Sequence, residues 1–81
     1  MKAKHKMVAV FWNDAWVSQA DHTDEEAQQH VPAVMCEVGL LTAKTADGIT
    51  IAHSEMIEDG STRQTHFIPT GMIIKIKTLR F

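Results

Sequence analysis

Trp12, Asp14 and Trp16 stand within a five-residue stretch, the densest grouping in the chain of side chains able to grip a ligand. Two indoles can stack on a base or clasp a peptide while a carboxylate between them accepts hydrogen bonds. That chemistry requires the chain to turn after Trp12, so that both rings and Asp14 line one cleft. The competing role is packing. A small domain needs its largest aromatics for burial, which would place Trp12 in the core and use Trp16 to fold the next segment onto it.

The remaining reactive residues form no recognisable constellation. His5, His22, His30, His53 and His66 contain no pair spaced i, i+3 or i, i+4, and the one cysteine, Cys36, lies in an apolar run beside Met35 and Val38, so no zinc pattern is present and Cys36 reads as a buried strand thiol. His53 and His66 fall near the ends of adjacent predicted strands. Asp24, Glu25 and Glu26 are accounted for by a helix start. Ser18, Ser54 and Ser61 lack the glycine elbow of a nucleophile, and no glycine-rich phosphate loop occurs. The expected class is non-enzymatic, with no cofactor and no metal.

Eighty-one residues allow one domain, residues 1–81, near the lower size limit for an independent core, so a partner chain could supply missing burial. No apolar run approaches the roughly 18 residues of a membrane-spanning helix. The basic start Met1–Lys6 is followed by an apolar stretch that ends at Asn13-Asp14, too short for an export signal, and the expected location is the cytoplasm. The net charge of −2 conceals a segregation: residues 1–12 and 62–81 carry +7 with no acid, and residues 13–61 carry −9. If the first and last strands are neighbours, Lys2, Lys4, Lys6, Lys75, Lys77 and Arg80 form one basic patch able to hold an anion.

The elements that would position these groups are mostly strands. Met7–Trp12 is an apolar, β-branched and aromatic run ended by Asn13-Asp14. Thr23-Asp24-Glu25-Glu26 has the form of a capping box and predicts a short helix, roughly Asp24 to Gln29, that must stop before Pro32. It sits in an insert at about residues 15–31. A long strand follows from Ala33 to Ala46, with Gly39 as a bend. Asp47-Gly48 predicts a hairpin into Ile49–His53, and Glu58–Ser61 a second turn. Thr62–Ile68 reads as an edge strand. Pro69-Thr70-Gly71 makes a tight turn into Met72–Lys77, with Met72, Ile74 and Ile76 inward and Lys75 and Lys77 outward. The fold expected is mainly β: a five-stranded small barrel, SH3-like or Sm-like, with a short helical insert after the first strand.

Two segments carry a family resemblance. Val38-Gly39-Leu40-Leu41 with Gly48-Ile49-Thr50-Ile51-Ala52 is similar to the first motif of the Sm-like (Lsm) barrels, and Phe67-Ile68-Pro69-Thr70-Gly71-Met72-Ile73-Ile74-Lys75-Ile76 resembles the second. Thr70-Gly71 stands where RNA-binding members carry a basic residue before glycine. Trp12-Asn13-Asp14-Ala15 together with the Ile-Pro-x-Gly-Met-Ile close also looks like small uncharacterised proteins of bacteriophage genomes. The apolar or alternating character of the two edge strands, and the burial that one small chain lacks, lead to the expectation of a homo-oligomer joined through Thr62–Ile68 and the closing strand of a neighbour. The basic terminal patch with an aromatic from Trp12 or Trp16 gives the first expected function, which the resemblance favours: a non-catalytic module binding nucleic acid or a nucleotide, with Trp12, Asp14, Trp16, Lys75 and Lys77 as the ligand-binding residues. The alternative is a phage-type accessory protein that binds a host factor in the host cytoplasm through its acidic insert, Asp14–Glu26.

Overall fold

The computed structural model describes residues 2–15 and 20–80; Trp16 lies outside them. The elements are β1 (Met7–Asp14), α1 (Asp24–Ala27), β2 (Ala33–Lys44), β3 (Gly48–Glu55), β4 (Thr62–Pro69), a 3₁₀ turn at Thr70–Met72, and β5 (Ile73–Thr78). All pairings are antiparallel, in the sheet order β4-β3-β2-β1-β5. The edge strands β4 and β5 do not pair, so the sheet is not closed into the expected barrel.

The length of β2 explains the shape. Its first half pairs with β1, from Asp14↔Ala33 to Met7↔Leu40, and its second half pairs with β3, from Leu40↔Ala52 to Lys44↔Ile49. The strand is thus shared by two offset partners, with a register shift between Leu41 and Ala43. Gly39 allows the crossing, because a Cβ there would lie 2.9 Å from the Ala52 carbonyl oxygen. The far end of the β1–β2 ribbon projects from the sheet. The molecule measures 55 × 25 × 21 Å with a radius of gyration of 16.2 Å, against about 12 Å for a compact domain of this length.

Directly paired residues share a face, so registers assign side chains to sides. The inner face carries the core: Val8, Val10, Trp12, Ile49, Ile51 and Ile68, with Leu41, Met72, Ile73 and Ile76 packed against it. The outer face of the β5–β1–β2 strip carries the rows Lys77, Ala9, Val38 and Lys75, Phe11, Cys36.

Several strand details depart from expectation. β1 runs on through Asn13 and Asp14, which pair with Val34 and Ala33; cross-strand bonding outweighs the turn preference of these residues. Cys36 is exposed, not buried, because it belongs to the outer face of the projecting ribbon. Ile74 is 54% exposed while Ile73 packs on the core. The cause is a register shift between Phe11 and Trp12, which pairs Trp12 with Ile73. The helix is shorter than expected and buries nothing, although Thr23 caps it by accepting a hydrogen bond from the Glu26 N–H at 3.2 Å.

Candidate functional site

Residues ahead of β1 are pinned across one end of the sheet. The backbone N–H groups of Lys4 and His5 donate to the Glu55 carboxylate at 2.8 and 3.1 Å, and the His5 ring bonds the same carboxylate. Only 2% of the Glu55 side chain is exposed. The Lys4 N–H, then the His5 ring, hold the Glu55 carboxyl below the usual glutamate range. Leu41 donates its N–H to the Lys6 carbonyl at 2.8 Å, and Leu79 donates to the Met7 carbonyl at 2.9 Å. These bonds bring the lysine-rich start against the end of β5. Residues 2–7 and Leu79 line an open cavity of about 410 Å³.

From that corner the basic character continues along β5. Lys75 and Lys77 are exposed on the outer face, opposite Phe11 and Ala9 of β1. Phe11 is half-buried and sits between Lys75 on one side and Cys36 on the other. An aromatic with one lysine opposite it and a second two residues along the same strand can stack a base and neutralise its phosphate.

Trp12 takes the other side of the sheet. It is 8% exposed and belongs to the core. Its ring meets that of His66 edge-on, with centroids 5.2 Å apart at 72°, and its Nε1–H is buried without a hydrogen-bond acceptor among the described residues. Trp12 is therefore not brought together with Lys75 and Lys77. Asp14 is half-buried at the end of β1, opposite Ala33. Trp16 lies outside the described residues.

The inner rim holds a cluster that sequence reasoning missed. Glu37 of β2 receives His66 Nδ1 of β4 at 2.8 and 3.0 Å on its two oxygens, and lies 3.3 Å from His53 Nε2 of β3. Its carboxylate therefore ties three strands together. The signal was available: Glu37 is the one charge in the apolar run Val34–Leu41, and a half-buried carboxylate needs partners. Among the described residues no group of three or more His, Cys, Asp and Glu side chains is arranged to hold a metal ion.

The acidic side of the molecule is α1 with its flanks. Asp24, Glu25 and Glu26 are exposed in its first turn, and Glu26 also lies 3.5 Å from His22 Nδ1. Comparison with known proteins finds no matching family model, no matching curated protein and no matching solved structure.

Proposed function

We propose that this chain is a non-catalytic, Sm-like binding module that holds nucleic acid or a nucleotide on the outer face of its β5–β1 strip. The observation carrying this reading is the row of Lys75 and Lys77 set against Phe11, continuous with the lysines of residues 2–6. The aromatic partner on this face is Phe11 in place of Trp12, which belongs to the core. The Sm-like assignment draws on the bend at Gly39, the β1–β5 neighbourhood and the 3₁₀ turn between β4 and β5. Two unpaired edges, β4 and β5, suit head-to-tail pairing of copies into a closed homo-oligomer, in which each neighbour completes the sheet that one chain leaves open.

The test is fluorescence anisotropy with a labelled single-stranded oligonucleotide across a salt series. Binding should weaken steeply with salt, because phosphate contacts release counterions. Replacing Lys75 and Lys77 together by alanine should reduce the log-log slope by about 1.4, at roughly 0.7 per contact on a single strand. Binding that ignores salt, or a slope unchanged in the double variant, refutes the reading. A protein-interaction role for the acidic insert is favoured by one observation: α1 buries no residue and leaves its acids exposed. Neutralising Asp24, Glu25 and Glu26 would then abolish capture of a host factor while leaving oligonucleotide affinity unchanged.

A further inference from the structure

A third free edge lies within the sheet, on the projecting half of β2. Leu41 turns its N–H toward Lys6, and in an antiparallel ladder successive residues point their backbone groups to opposite sides. Odd-numbered positions of β2 therefore bond to β1, and Val34, Cys36 and Val38 direct their N–H and C=O groups the other way. On that side β3 pairs only from Leu40 onward. None of the backbone bonds described outside the strands reaches these three residues. Val34 and Val38 are 66% and 47% exposed, and Cys36 is also exposed.

Protein edges are normally guarded by lysine, proline or a bulge. Between Ala33 and Val38 there is none, and the sole charge, Glu37, points to the inner face, where it engages His53 and His66. We infer that this edge docks on the same edge of a second copy, as an antiparallel pair about a twofold axis centred on Cys36. The register follows from geometry. A twofold axis that pairs two identical edges antiparallel must stand perpendicular to the sheet, so outer face continues into outer face and each residue pairs with one of its own parity. Centring on Cys36 sets Val34 opposite Val38 of the second copy, Cys36 opposite Cys36, and Val38 opposite Val34, all as hydrogen-bonded pairs with apolar side chains in contact. Centring on Met35 leaves Val38 opposite Pro32, which has no N–H. Centring on Glu37 places two carboxylates face to face. So short an edge buries less than the ~1,200 Å² of a stable interface, and the dimer is reversible and concentration-dependent. It uses neither β4 nor β5, so it is compatible with the head-to-tail assembly proposed above and independent of it.

The test uses Cys36, the chain's one cysteine, so that any disulfide formed joins two copies at this residue. Hydrogen-bonded antiparallel partners have Cα atoms about 5.5 Å apart, within disulfide range. Mild oxidation of the full chain should give covalent dimer at least ten times faster than a Cys36→Ser, Ala43→Cys variant, whose thiol is exposed elsewhere on β2. In sedimentation equilibrium, Cys36→Lys should raise the dimer Kd at least tenfold with an unchanged circular dichroism spectrum, because two like charges would then meet across the axis. Equal oxidation rates, or a concentration dependence that Cys36→Lys leaves unchanged, overturns the inference. Association lost in Ile74→Lys but retained in Cys36→Lys would assign the contact to β5 and likewise overturn it.

Discussion

Replacing Gly48 by alanine should be far more damaging than replacing Gly71, although one glycine follows the β2–β3 turn and the other lies in the 3₁₀ turn between β4 and β5. A Cβ on Gly48 would lie 2.4 Å from the Ile68 carbonyl oxygen and 2.7 Å from Phe67 Cζ. Ordinary contact begins near 3.4 Å, so the carbonyl must retreat by about 1 Å while the Phe67 ring swings aside. The ring is half exposed and can move. The carbonyl belongs to β4 beside Ile68, which is 0% exposed in the core, and the same hairpin end is tied by the Thr70 N–H to the Asp47 carbonyl and by the Thr70 hydroxyl to the Ala46 carbonyl, both at 2.9 Å. Moving it disturbs packing and pairing together, at a cost of about 3 kcal/mol. A domain of this length holds roughly 4–12 kcal/mol in total, so the loss is severe. With a urea slope of about 1 kcal/mol/M, the midpoint should fall by about 3 M. At Gly71 nothing lies within 4 Å and φ is not left-handed. Alanine there should be neutral or stabilising by about 0.4–1 kcal/mol through the unfolded chain. Urea melts followed by circular dichroism decide the matter. If Gly48→Ala falls within about 1 kcal/mol of Gly71→Ala, β4 yields freely and the close-approach argument is wrong.

Ile51→Ala, at a fully buried core position, should cost about 2–5 kcal/mol in the same melts, whereas Ile74→Ala on exposed β5 should stay within about 0.5 kcal/mol of wild type. Acid should loosen the N-terminal segment. Because the folded Glu55 carboxyl titrates below its unfolded value, its stabilisation is present above the ordinary glutamate range and is lost as pH falls through the folded value. Glu55→Gln should flatten that acid limb in a Tm-against-pH series from pH 6 to 3, leaving the part due to Asp59, which the Ser61 N–H stabilises in the same sense. Thr23→Ala should leave the global Tm within a degree or two while speeding amide exchange at Glu26, since the cap serves a helix that buries nothing.

Alternation and turn chemistry made most of the sheet legible in advance. Asp47-Gly48 marked the β2–β3 hairpin, Thr23 through Glu26 marked the cap, and Pro69-Thr70-Gly71 marked the turn before β5. Termination at Asn13-Asp14 failed because pairing with Val34 and Ala33 is a tertiary event that single-residue preference does not contain. The inward placement of Ile74 failed for a related reason: a register shift adds a residue on one strand and rotates everything beyond it, and strict alternation cannot anticipate where that happens. Barrel closure was inferred from the Gly39 bend, the Pro69-Thr70-Gly71 turn into a last strand and the count of five strands, yet closure depends on how far β2 carries its two partners apart. At the candidate interface, Lys75 and Lys77 were legible as outward residues. Phe11 was overlooked because a continuous apolar run hides which members face which side.

The central position of β1 also bears on how the chain is made. Val10 is flanked by Glu37 of β2 and Ile76 of β5, so one neighbour arrives early in synthesis and the other 66 residues after Val10 itself. At about 5–20 residues per second that interval is roughly 3–13 seconds. For the part of it between Glu37 and Ile76, 39 residues or roughly 2–8 seconds at the same rate, the most apolar strand of the protein is paired along one side only, and the nascent hairpin offers an open edge to other ribosome-bound copies. Release of β5 is then the commitment step, and a stall anywhere between Glu55 and Ile73 would leave a species prone to aggregation even though most of its strands had been made.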